Sequence, residues 1–119
     1  MNDDFISNLF KKYGIQRDQN CAPIPIIKYM GSISGGLFMW ITILQSCANI
    51  NNNWWFPMSL KSWEENYLLK RHNVESSRNK LEKLGVIQTQ LDNYNGDAVM
   101  FYRIIMEKML PLLESILEK

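Results

Sequence analysis

Between Ser59 and Ile105 the chain reads SLKSWEENYLLKRHNVESSRNKLEKLGVIQTQLDNYNGDAVMFYRII. The apolar period changes from helical to alternating only once in this stretch, and that single change constrains the fold more than any other feature. Ser59 is placed to cap a short helix by accepting from the amides near Lys61 and Ser62, with Ser62 and Glu65 as a competing capping box. Trp63, Tyr67 and Leu68 form its inward face. A second helix begins between Lys70 and Asn73, turns Val74, Ser77, Leu81 and Leu84 inward, and closes at Gly85. The small Ser77 permits close approach of a neighbouring helix. Two β-prone runs follow, Val86 to Leu91 and Ala98 to Ile105, around Asn95-Gly96, a strong hairpin signal.

Two helices followed directly by a hairpin, with no crossover unit, make the order of a winged helix-turn-helix. The expected class is therefore α+β and mostly helical: a winged helix-turn-helix with extra N- and C-terminal helices. Such a fold offers one polar helix and one β-loop to a partner, most commonly duplex DNA.

The flanks divide into three parts of one domain: an N-terminal helix and arm (1–32), the winged helix (33–105) and a C-terminal helix (106–119). Asp3 to Tyr13 places Phe5, Ile6, Leu9, Phe10 and Tyr13 on one face of an amphipathic helix. Residues 14 to 32 hold Gly14, Pro23, Pro25 and Gly31, and are expected to be extended chain and turns. ISGGLFMWITILQSCA is the expected central helix, with Gly35 and Gly36 delaying its regular part to Leu37. The run Asn49 to Asn53 (NINNN) stops it, and Trp54, Trp55 and Phe56 form a strand, ended by Pro57, that pairs with the wing. In the tail, Met106, Met109, Leu110, Leu113, Ile116 and Leu117 share a stripe, regular from Pro111 onward. That stripe either packs on the N-terminal helix or joins a second chain. The dimer expectation rests on Phe5, Leu9, Phe10, Met106, Met109, Leu110, Leu113 and Leu117, and two-fold symmetry would then read half-sites about one helical turn apart.

The motifs Ser59 to Glu65, Leu81-Glu82-Lys83-Leu84-Gly85-Val86-Ile87 and Phe101-Tyr102-Arg103-Ile104 carry a resemblance spanning residues 33 to 105. They resemble winged-helix domains of replication-initiation proteins from phages and mobile elements of low-GC Gram-positive bacteria, and DnaD-type N-terminal domains. The resemblance implies DNA binding in replication initiation or transcriptional control on a phage, plasmid or mobile element. Two positions depart from the pattern: Lys70 takes the place of a serine cap, and Arg78 replaces an aliphatic residue, so the helix is rotated or Arg78 snorkels.

The candidate DNA-binding residues are Ser59, Lys61, Lys70, Arg71, His72, Asn73, Ser76, Asn79, Lys80 and Lys83. Asn79 suits an adenine edge, Arg71 a guanine edge, and Lys80 and Lys83 phosphates. Lys61 and Ser59 suit a phosphate at a helix start, though a plain N-cap explains Ser59 equally well. Glu75 and Glu82 on the same helix favour an ordinary solvated face. Trp54, Trp55 and Tyr94 suit base stacking, but half-buried strand aromatics are commoner. The wing tip, Asp92 to Asp97, is acidic and the formal net charge is +1, both of which argue against strong phosphate binding. They favour the alternative: a protein–protein interaction module in which the winged helix is a scaffold for assembling replication or partition proteins.

A single histidine, His72, leaves no Ser-His or Cys-His pair, and no glycine-rich phosphate loop or metal-ligand cluster is legible. No enzyme activity, cofactor or metal is therefore expected. Cys21 and Cys47 fit no metal spacing, and with no secretory leader the reading is a free-thiol, cytoplasmic protein. The longest apolar run, GGLFMWITIL, is far short of the roughly 20 residues that span a bilayer, so no membrane is expected.

Overall fold

The computed structural model describes residues 2–118 other than Gln19, and side chains from Ile6 onward. Among these are six α-helices, one 3-10 turn and a three-stranded sheet, an α+β arrangement dominated by helix. The helices are α1 (Asn2–Lys12), α2 (Ile24–Met30), α3 (Ile33–Ala48), α4 (Leu60–Tyr67), α5 (Arg71–Lys83) and α6 (Met106–Leu117). The strands are β1 (Phe56–Pro57), β2 (Ile87–Tyr94) and β3 (Asp97–Ile104), in the antiparallel order β1-β3-β2.

The centre is α3, with Phe38, Met39, Trp40, Ile41 and Ile43 fully buried. It is apolar almost all round because helices or the sheet surround it. It is regular from Ile33 rather than from Leu37, because Ser32 Oγ accepts the Gly35 amide at 2.9 Å and caps the first turn. Its two glycines lie where neighbours come closest: Ile27 of α2 presses on Gly36, and Ser77 of α5 faces Gly35. No helix among the described residues is long and apolar enough to cross a membrane; α2 and α3 are bent 116° apart.

The segment expected to be extended contains α2. Pro23 precedes its first turn and Pro25 lies within it, where a missing amide hydrogen is harmless. Gly31, at φ 87°, ends it by giving its N–H to Ile27 O. The prolines and glycine read as breakers are the start and stop of a helix. Likewise α6 is regular from Met106, with Pro111 inside it. Pro111 is exposed, so water can serve the carbonyl its missing N–H leaves free.

Asn53 and Trp54 both have positive φ, which turns the chain sharply before β1. The strand is therefore only Phe56–Pro57, with Trp54 and Trp55 half-buried in the turn ahead of it. It pairs with the hairpin as expected, Phe56 opposite Tyr102. Ser46 of α3 joins these pieces: its Oγ donates to Trp54 O at 2.7 Å and accepts the Ile104 amide at 3.0 Å. The hairpin closes through Asn95 and Gly96, both with positive φ, as a two-residue turn requires.

Two expected inward leucines point outward. Leu68 takes the left-handed conformation at the end of α4 and is 83% exposed, while Leu69 goes into the core. Leu84 is 45% exposed beyond the last turn of α5; Val74, Ser77 and Leu81 are buried as expected.

The terminal helices turn their stripes into the chain's own core. Leu9 and Phe10 of α1, and Met106, Met109, Leu113 and Leu117 of α6, are buried, and Leu110 is half-buried. Helix α6 packs against α1 and α2. Of the two alternatives for the tail, intramolecular packing is the one realised, and these residues leave little apolar surface for a second copy. Phe5 lies outside the described side chains.

Candidate nucleic-acid interface

Helix α5 is fixed along its inner side by Val74, Ser77 and Leu81. At 3.6 residues per turn the opposite ridge is His72, Ser76, Asn79 and Lys83, all of them exposed. Neither acid of the helix lies on this ridge. Glu75 and Glu82 flank one side and are held by Arg71 at 3.2 Å and Arg78 at 3.6 Å, each an i,i+4 pair. On the other flank, Lys80 Nζ donates to Tyr29 O of α2 at 3.0 Å and lies 5.0 Å from the Tyr29 ring centre.

Several candidate residues therefore have intramolecular work. Ser59 Oγ accepts the Ser62 amide at 3.0 Å and donates to Ser62 Oγ, which makes it an N-cap with no capacity left for a phosphate. The Ser62–Glu65 box does not form, since Ser62 lies inside α4. Asn73 Oδ1 accepts the Lys70 amide at 3.2 Å, so the side chain from α5 secures its own start in place of the serine cap that Lys70 lacks. Lys61, Lys70 and Lys83 are exposed and make no ion pair among the described residues.

Arg78 resolves its departure from the aliphatic pattern by snorkelling. Its side chain is only 19% exposed, and its guanidinium ends at Glu82. Beneath it lies Tyr102, fully buried, whose hydroxyl accepts the Trp63 indole N–H at 3.3 Å. Burial pushes the Tyr102 phenol above its usual range, opposed by the Trp63 hydrogen bond and the Arg78 charge. Phe38, Phe56 and Trp63 surround that ring and brace α4 and the sheet against α3.

The hairpin extends past α5 with its tip, Asp92 to Asp97, exposed. Thr89 Oγ1 donates to Glu82 Oε2 at 2.8 Å and pins the hairpin base to α5. Between helix and hairpin lies a groove of about 340 Å³ whose walls include Leu60, Arg71, Glu75, Leu91 and Met100. The geometry is an exposed polar ridge beside an acidic loop. No protein family, curated protein or solved structure matches the chain.

Proposed function

We propose that the chain is a winged-helix DNA-binding module that presents α5 to the major groove. The observation that carries this reading is the ridge His72–Ser76–Asn79–Lys83, rigidly backed, free of acids and unobstructed by the fold. Asn79 is the base-reading side chain and Lys83 the phosphate contact, with Lys61 and Lys70 flanking. A role in replication initiation or transcriptional control follows from the resemblance of the α4–α5–hairpin motifs.

Binding is expected to be modest. Three exposed, unpaired lysines correspond to a salt slope no steeper than roughly −3. Fluorescence anisotropy on duplex DNA across a salt series tests the proposal. Lys83→Glu should make the slope shallower by about 1, and Asn79→Ala should relax sequence preference by about 1–3 kcal/mol at one base pair. Unchanged affinity and slope in both variants would remove α5 as the DNA surface.

A second reading, a protein-interaction scaffold, is favoured by one specific observation. The Arg71–Glu75 pair interrupts the positive stripe beside an acidic wing.

A further inference from the structure

The sheet has two unlike faces. Ile87, Tyr102 and Ile104 are buried on the side facing α3 and α5. On the opposite face stand Gln90, Asp92 and Tyr94 from β2 and Val99, Phe101 and Arg103 from β3, all exposed or half-buried. Trp55, one residue before β1, extends this outer face beside Arg103.

Its rings are held in place. Arg103 lies 4.7 Å from the Trp55 ring centre, donates to Gln88 Oε1 at 2.7 Å and reaches Asn53 O at 3.4 Å. Tyr94 meets Phe101 edge-on at 6.1 Å. Between the rings is a slot of about 170 Å³ lined by Asn52, Trp55, Gln90, Asp92 and Phe101. Two aromatic walls, the Gln90 amide, the second N–H of the Asn52 amide (its Nδ2 also donates to Trp55 O at 3.1 Å) and a carboxylate are a specific chemical set. Aromatic walls accept prolyl rings, amide N–H groups donate to carbonyls that a polyproline II segment leaves unpaired, and a carboxylate selects a cation.

We propose that this outer face is a docking groove for a polyproline II segment carrying an arginine or lysine. Charge selects this occupant over single-stranded nucleic acid. Arg103 is turned onto Trp55, Gln88 and the Asn53 carbonyl, while Asp92 and Asp97 stay exposed and repel phosphate. The groove lies on the far side of the sheet from α5, so it operates whether or not α5 binds DNA.

Amide shifts in a ¹⁵N-labelled full chain, titrated with a short synthetic polyproline peptide bearing one central arginine, test the proposal. Shifts should gather at Trp55, Gln90, Asp92 and Phe101, and Trp55→Ala should weaken binding about tenfold. Asp92 is exposed and its carboxylate's only described hydrogen bond is from the adjacent Asn93 amide, so Asp92→Lys keeps the backbone pairing with Val99 and leaves the fold intact. That variant should prefer a glutamate version of the peptide over the arginine one by about fivefold, a reversal of the native ranking. The proposal is overturned if the shifts miss this face, if Asp92→Lys leaves the ranking unchanged, or if oligo(dT) shifts these amides and the peptide does not.

Discussion

Alanine at Gly36 should destabilise the chain, although glycine is the poorer helix former. A Cβ there would lie 2.7 Å from both Cα and Cγ1 of Ile27 in α2. Carbon atoms rest at about 3.5–4.0 Å, so α2 must retreat by roughly 1 Å. Overpacking of this kind costs typically 1–3 kcal/mol, while the gain in helix propensity is about 1 kcal/mol. Because one of the closest contacts is the Ile27 backbone, which cannot rotate away, the cost lies in the upper part of that range, about 2–3 kcal/mol. The net loss of about 1–2 kcal/mol lowers Tm by roughly 4–8 °C for a domain of this size. Gly35→Ala is the control. Its Cβ would be 3.1 Å from Met30 Cβ and Ser32 Oγ, a tight fit that small adjustments relieve, so its effect should stay within about 1 kcal/mol. Urea titration followed by circular dichroism measures both. Gly36→Ala as stable as the native chain, or less harmful than Gly35→Ala, would refute the idea that backbone proximity to α2 decides this position.

Two further outcomes are expected. Leu68→Gly should raise stability by about 1 kcal/mol in the same urea assay, because a left-handed leucine that is 83% exposed gains little from its side chain and glycine holds that conformation without strain; a loss would show that Leu68 packs usefully. Burial holds the Tyr102 phenol above its ordinary value near 10, so the folded state releases this proton later than the unfolded chain does. Its contribution is complete below about pH 10 and declines as pH rises toward the folded value, so urea midpoints should fall less steeply above pH 10 in Tyr102→Phe than in the native chain. Equal slopes would exclude Tyr102 as the source.

The α4–α5–hairpin order was legible because its signals are local. Ser59 caps, Gly85 closes and Asn95-Gly96 turns within a few residues of what they control. Local rules misled where one residue type serves opposite ends of an element. Pro23, Pro25 and Gly31 are breakers in isolation, yet they bracket α2 because only one turn separates each from the helix end it serves. The Leu68–Leu69 pair was unreadable for another reason. A left-handed residue between α4 and α5 resets the helical phase, so periodicity cannot carry through to say which leucine turns inward. The candidate site lost Lys80 to Tyr29, 51 residues away, a partner that no spacing rule reaches. The apolar stripes of α1 and α6 were plain in the sequence, but a stripe specifies only that something covers it.

The double hydrogen bond of Ser46 has a consequence for self-association. Strand β1 is too short to reach Ile104, so the backbone N–H there would otherwise advertise an open flank to any passing strand. A hydroxyl borrowed from α3 occupies that donor instead, and an invading chain would have to evict it. Propagation of the sheet on the β1 side is thereby blocked at the base of β3.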